Sequence, residues 1–293
     1  MSGWIVAMTT RRFLRMLSLI GAPATLMACA DSTHASEQTS RASHEIGATP
    51  GHRPVLVELF TSEGCISCPP ADNVLSDLVT RQPIEGVYVV GLGEHVDYWD
   101  RLGWRDPFSS PLFTRRQSEY DAKVFRSNRI YTPQIVVDGH TEAIGSDTDA
   151  VRRAIQAAAQ RPNVNVVVRL DSMTDAEARV WVHVEMALAV GRRNDVDVFV
   201  AVTEDRLVTA VPRGENQGRT LNHHAVVRSL TTVGSIPGDQ GTFQATVSVP
   251  LEPAWKSEDV RIVSFVQERQ SLRILGTGVS VLHQGATTRS LPP

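Results

Sequence analysis

The sequence predicts an α/β unit of order βαβαββα followed by a β-sandwich-like unit. Three observations carry that expectation. Nearly uninterrupted apolar runs at residues 55–60, 87–92 and 135–137 suit strands of a sheet covered on both faces. Apolar residues at helical spacing follow the first run (Ala71, Val74, Leu75, Leu78, Val79) and recur at the end of the unit (Val151, Ile155, Ala158). After Pro162 the period changes to two, as in Val164, Val166, Val168 and Leu170 or Val180, Val182, Val184 and Met186.

Each element has a local reason. The first strand runs into a tight turn, Thr61 to Ser67, which bears Cys65-Ile66-Ser67-Cys68; Pro69 and Pro70 then suit a first helical turn, where their missing N–H groups cost nothing. Residues 93–113 form an aromatic-rich insert, and residues 111–124 read as a polar helix. Thr132-Pro133 opens the third strand and Asp138-Gly139 closes it, with residues 141–144 as its hairpin partner. A helix over 148–160 has Asp147 as its cap. Beyond it, about seven short alternating strands with turn signals predict the sandwich.

The expected organisation is an export signal over 1–28, a tether over 29–51, the α/β domain over 52–161, the β-sandwich-like domain over 162–285 and a tail over 286–293. Arg11, Arg12 and Arg15 precede an apolar stretch too short for a confident membrane span. It ends in Leu26-Met27-Ala28-Cys29, which resembles the lipobox of bacterial lipoproteins and implies a lipid on Cys29; ordinary signal cleavage is the other reading. Both readings place the mature chain outside the cytoplasm, in the periplasm or cell envelope. The basic residues are 27 Arg and 2 Lys, and the formal charge is −3. A chain with no basic excess is not expected to bind nucleic acid.

With Cys29 assigned to location, Cys65 and Cys68 form the remaining pair. A thiolate near a helix N-terminus is stabilised by unpaired N–H groups and the helix dipole. Cys65, the outer sulfur, is the expected attacking thiol and Cys68 the resolving one, so the expected cofactor is the redox-active disulfide alone. A structural zinc site needs four ligands, and no second C-x-x-C or H-x-x-x-H exists. A permanently oxidised, inert disulfide is the other competing reading.

The element order, C-x-x-C at the end of the first strand and Thr132-Pro133 at the start of the third resemble the thioredoxin fold. That resemblance implies a thioredoxin-like domain, a cis bond before Pro133 and a substrate-facing backbone at Thr132. Thioredoxin has Trp before the first cysteine and Gly-Pro between the two; Gly64 and Ile66-Ser67 stand here. Four segments are also similar to an exported bacterial family catalogued as domain of unknown function 1223: Glu58 to Asp72, His95 to Asp100, Gly103 to Phe108, and Gly214 to Thr220. That resemblance implies export and a thioredoxin-like fold, with no established activity.

The loop after the second strand should emerge near Cys65. In it His95 reads equally as a proton shuttle for the thiols or as a loop anchor. Tyr98, Trp99 and Trp104 read as substrate contacts or local core. Asp97 and Asp100 read as caps of the following turn or as groups that orient His95. The polar segment 212–224 belongs to the site if it folds over Cys65, and is otherwise a solvated hairpin. The expected function is an exported thiol–disulfide oxidoreductase acting on a thiol or disulfide substrate. The alternatives are a copper(I)-handling protein using Cys65, Cys68 and His95, or an interaction module whose disulfide never cycles.

Overall fold

The computed structural model describes residues 52–186 and 194–282. The expected export signal, Cys29, the tether and the C-terminal tail lie outside the described residues. Strand β1 (Arg53–Thr61) pairs in parallel with β2 (Val87–His95), in a register that sets Thr61 opposite His95. Between them runs α1 (Pro69–Arg81), which starts at the proline pair and stops where Gln82 adopts a left-handed conformation and its N–H reaches the Leu78 carbonyl. After β2 come a 3-10 turn (Asp97–Leu102), α2 (Pro111–Tyr120) and a π-helical turn (Asp121–Phe125). Strands β3 (Gln134–Val137) and β4 (Thr141–Ile144) form a hairpin, and α3 (Thr148–Ala159) follows, capped by Asp147 Oδ1 accepting from the Ala150 N–H at 2.9 Å.

The second half is all strand: β5 (Asn165–Met173), β6 (Glu177–Glu185), β7 (Val196–Glu204), β8 (Leu207–Ala210), β9 (Thr220–His223), β10 (Val226–Ile236), β11 (Thr242–Pro250), β12 (Val260–Glu268) and β13 (Ile274–Val281). Here the structure overturns the expected fold class. The chain does not form a thioredoxin-like βαβαββα domain followed by a β sandwich. One mixed eight-stranded sheet, ordered β13-β12-β7-β10-β2-β1-β3-β4, takes strands from both halves; β11-β6-β5 and β8-β9 are smaller sheets.

The physical cause lies at β2, which would be an edge if the first half closed by itself. There Gly93 donates its N–H to the Ala225 carbonyl at 2.7 Å, and Val226 pairs with Gly93. A Cβ on Gly93 would stand only 3.3 Å from that carbonyl oxygen, so the missing side chain permits the approach. Pairing with β1 as far as Thr61 carries the strand three residues beyond Leu92, so it includes His95, which the apolar run alone leaves in the following loop.

Alternation on the strands sorts the core into layers. Val55, Val57 and Leu59 pack with Ala71, Leu75 and Leu78 of α1 and with Val151 and Ile155 of α3. Val198, Val200 and Val202 pack with Val180, Val182 and Val184 of the three-stranded sheet. The opposite face, with Leu56, Phe60, Leu92, Ala201 and Phe265, meets Phe113 and Tyr120 of α2. Glu58 and Glu94 are buried on that face. Arg116 Nε reaches Glu58 at 2.5 Å and lies 3.5 Å from Glu94, while Tyr120 donates to Glu58 at 2.6 Å and Gln267 of β12 accepts from Arg116 at 3.1 Å. These contacts tie α2 to strands of both halves.

The turn between β3 and β4 gives a direct test of the packing. Asp138 and Gly139 have φ of 46° and 64°, and a Cβ on Gly139 would run into the Leu272 carbonyl. Gly139→Ala is expected to cost at least about 2 kcal/mol in urea unfolding, from left-handed strain plus the clash. A change below about 0.5 kcal/mol, the range of an inconsequential substitution, would contradict this packing.

Candidate functional site

At the C-terminal end of β1 the backbone turns sharply: the Cys65 N–H donates to the Ser62 carbonyl and the Cys68 N–H to the Cys65 carbonyl, each at 3.1 Å. Cys68 is the N-cap of α1, and its carbonyl accepts from the N–H groups of Ala71 and Asp72. The two cysteines are joined in a disulfide with Cα atoms 5.4 Å apart. Both have no exposed surface, whereas Ile66 between them is 59% exposed and Ser67 is also exposed. The Ser67 hydroxyl lies 3.3 Å from Cys65 Sγ, which makes Cys65 the sulfur with a partner on the surface side.

Beneath the turn lies a buried group of acids and imidazoles. His95 Nδ1 is 2.7 Å from Asp106 Oδ2, which also accepts from the Glu63 N–H at 2.8 Å; Asp106 Oδ1 accepts from the Phe108 N–H at 2.9 Å. Glu63 accepts from Trp104 Nε1 at 2.8 Å, and its other oxygen is 3.1 Å from His223 Nε2. His223 Nδ1 lies 4.0 Å from Asp72, whose other oxygen accepts from the Thr61 hydroxyl at 2.8 Å. The His95 and His223 rings meet edge to face with centroids 5.0 Å apart.

The electrostatics follow from burial and pairing. Burial alone would lower the His95 pKa, but the Asp106 carboxylate beside it reverses the sign and raises it. Burial would raise Asp106, yet His95 and the two backbone N–H groups hold it below the ordinary carboxylate value. Asp72 is raised by burial, with His223 and His95 offsetting only part of the effect. Asp72 stands four residues after Cys68, which places both on the same helix face one turn apart.

A loop from the second half of the chain closes the site. Asn216, fully buried, donates through Nδ2 to the Glu63 carbonyl at 2.8 Å and the Cys65 carbonyl at 2.9 Å. Glu215 accepts from the Ile66 N–H at 3.0 Å, and Arg219 donates to Asn216 Oδ1 at 2.7 Å. The polar segment whose placement sequence reading left open therefore lies against the C-x-x-C turn.

The other residues singled out in the sequence divide by location. The bond before Pro133 is cis. Pro133 and Ala71, of the first turn of α1, converge on Gly145, where a Cβ would stand 3.2 and 2.8 Å from their Cβ atoms. Thr132 Oγ1 accepts from Trp99 Nε1 at 2.8 Å, and Trp99 Cβ packs against Gly64, so Trp99 bridges the Thr132 side chain and the cysteine turn. Tyr98 donates to Gln117 at 3.3 Å. His95 is bonded to Asp106 and to neither sulfur. Among the described residues, no three His, Cys, Asp or Glu side chains are gathered as a metal site. Asp72 and Asp106 are not singled out by the sequence as members of the site, and Asn216 enters it only through the polar segment 212–224. The one local signal was helical spacing, which sets Asp72 on the face of Cys68.

Residues 56–267 match the family model described as protein of unknown function, DUF1223. No curated protein matches the chain. Among solved structures, an Agrobacterium tumefaciens protein from a structural genomics consortium is 26% identical, with a TM-score of 0.60 over 82% of this chain and 99% of that one. HBP35 of Porphyromonas gingivalis is 16% identical, with a TM-score of 0.61 over 83% and 79%, which is a likeness of fold.

Because the folded state binds the His95 proton more tightly than the unfolded chain, this group stabilises the fold below about pH 6.5, and the effect is lost as pH rises through the folded pKa. Asp106 contributes above about pH 3.9, and its share is lost as pH falls through its depressed pKa. Asp106→Asn is expected to lower the His95 pKa in an NMR titration, since burial is then opposed only by Asp72 and Glu63. A His95 pKa that does not fall in this variant would remove Asp106 as the cause.

Proposed function

We propose, for a chain that belongs to the DUF1223 family of proteins of unknown function, the function of a thiol–disulfide oxidoreductase of the cell envelope. The observation that carries the reading is the Cys65–Cys68 disulfide at the N-terminus of α1, with an exposed Ile66-Ser67 bridge and a hydroxyl against Cys65 Sγ. Its cover comes from Trp99 and the Glu215-Asn216 loop, polar contacts that can part without opening the core.

In the reductive half-cycle a substrate thiolate attacks Cys65 Sγ. The bond between Cys65 and Cys68 breaks, and its electron pair leaves on Cys68. That thiolate sits at the cap of α1, where the helix dipole favours negative charge. Asp72, one turn along and holding its proton more tightly than a free carboxyl, is the proton donor for it in this reading. A second substrate thiolate then attacks the mixed disulfide at the substrate sulfur, leaving a substrate disulfide and the Cys65/Cys68 dithiol. Oxidation of a substrate dithiol is this sequence; reduction of a substrate disulfide is its reverse. Thr132, Pro133 and Trp99 line the approach in this reading, and His95 acts through the buried cluster.

The export signal and the lipobox-like end at Cys29 support placement in the envelope with a lipid tether. No helix among the described residues is long and apolar enough to cross a membrane. A second reading has one observation in its favour: both cysteines are fully buried, as inert structural disulfides are.

Titration of the native protein against glutathione separates the two. An oxidoreductase is expected to show a couple milder than about −300 mV and to lose exchange in Cys65→Ser. A couple below about −300 mV, or exchange that survives Cys65→Ser, would contradict the proposal.

A further inference from the structure

Three carboxyl groups and two imidazoles are buried beneath the cysteine turn, and they do not pair evenly. His95 of β2 is committed to Asp106, at 2.7 Å. That leaves one imidazole, His223, for the two carboxyls that flank the disulfide in sequence, Glu63 before Cys65 and Asp72 after Cys68. Its ring faces both: Nε2 is 3.1 Å from Glu63 Oε1, and Nδ1 is 4.0 Å from Asp72 Oδ2. The His223 side chain is 2% exposed, that of Glu63 0% and that of Asp72 7%, so solvent screens these charges little.

The second half of the chain puts the ring there. On β9, Leu221 and His223 are buried while Thr220 and Asn222 are exposed, and the strand packs against α1. Asp72 is linked to Cys68 by the helical bond from its N–H to the Cys68 carbonyl, at 3.1 Å, which sets the two side chains on one helix face. The other groups facing Asp72 are the Thr61 hydroxyl of β1, which donates to Oδ1, and, acting through space, His95 of β2 and Asp106 of the insert. Glu63 also accepts from Trp104 Nε1, and the rings of His95 and Phe108 pack edge to face against His223. No lysine or arginine is paired with Glu63 or Asp72 among the described residues.

An imidazolium carries an N–H donor on each nitrogen, and here each nitrogen faces a carboxyl. A neutral ring has one donor and no charge, so it would leave buried carboxylates without an opposite charge, a costly state. We propose that His223 is a positioning residue of the exchange reaction: as imidazolium it holds the carboxylate that Asp72 becomes when its proton passes to the Cys68 thiolate. The inference rests on the oxidoreductase reading and adds the residue that lets its proton donor ionise. In this step the Asp72 O–H bond breaks, its electron pair stays on the carboxylate, and the proton forms the S–H bond of Cys68. The redox change is the thiol–disulfide exchange already described, so the step needs no further oxidant or reductant. His223 acts through Asp72, and the chemistry of the cysteine turn thereby depends on a strand of the second half.

The test uses the full protein. In the wild type, NMR of the ring nitrogens is expected to show both nitrogens of His223 protonated across the pH range in which the Asp72 carboxyl titrates. A neutral ring in that range would overturn the proposal. The second readout is the pH profile of dithiothreitol reduction of the native disulfide, with rates scaled to thiolate concentration. The scaled rate is expected to fall as Asp72 loses the proton it donates. His223→Gln keeps an amide N–H for Glu63 and removes the charge, so both this fall and the Asp72 titration are expected to move to higher pH. A residue that only fills space or anchors the strand would leave both midpoints where they are. Unmoved midpoints in His223→Gln would overturn the proposal and leave the oxidoreductase reading standing. Failure of glutathione and of dithiothreitol to open the native disulfide would overturn the oxidoreductase reading, and this inference with it.

Discussion

The structure depends on one contact between main chains. Where β2 passes Ala225, Gly93 has no side chain, and its N–H reaches the Ala225 carbonyl. The contact joins strands from the two halves of the chain into one sheet. Ala225, at φ 54°, is held in place because its own N–H donates to Asp205 Oδ1 at 2.8 Å. Two residues from the contact on each side stand His95 and His223, and their edge-to-face meeting follows from it. Parallel pairing of β1 and β2 then sets His95 opposite Thr61, at the start of the cysteine turn. The segment preceding His223 is thereby delivered over that turn, where Asn216 and Glu215 grip its backbone.

That arrangement has an electrostatic cost which the pairing offsets. Glu63, Asp72, Asp106, His95 and His223 are all buried within the same few contacts. An isolated buried charge is strongly unfavourable, so each is bonded to an opposite charge, an N–H or a hydroxyl. On the other face of the sheet Glu58 is paired with Arg116 and Tyr120, whereas neither oxygen of the buried Glu94 has a hydrogen-bond partner among the described residues. There Glu94 keeps its proton far more readily than a free carboxyl, because burial and the neighbouring Glu58 both oppose its ionisation. Buried pairs of this kind add little net stability but are costly to break singly, which makes the positions of β1, β2 and α2 specific.

Much of the local structure was legible in the sequence. Helical spacing located α1 and α3, the proline pair marked the start of α1, and period two located the later strands. The partnership of those strands was not legible. Alternation tells which residues share a face, not which sheet the strand joins, and β2 meets β10 across more than a hundred residues through a single bridge. The local order β-α-β-α-β-β-α therefore suggested a self-contained domain that the chain does not form. The cysteine turn stood out because strand, turn and helix signals coincide there. Asp72 and Asp106 carried no comparable signal, because burial of a polar side chain is decided by residues distant in sequence, and Asn216 stood out only as part of the polar segment 212–224. His95 was visible as a candidate, but the glycines that admit β10 also disguised its position on the strand.

The loop that carries Glu215 and Asn216 is bonded to the cysteine turn, and the proposed function makes it the cover of the disulfide. The most direct measurement is the rate at which dithiothreitol reduces Cys65–Cys68 in the native protein, compared with Asn216→Ala and scaled to each protein's unfolding rate. Loss of two buried hydrogen bonds, worth about 1 kcal/mol each, is expected to raise that rate at least on the order of tenfold. A variant whose native disulfide is reduced no faster than that of the wild type would contradict this role of the loop.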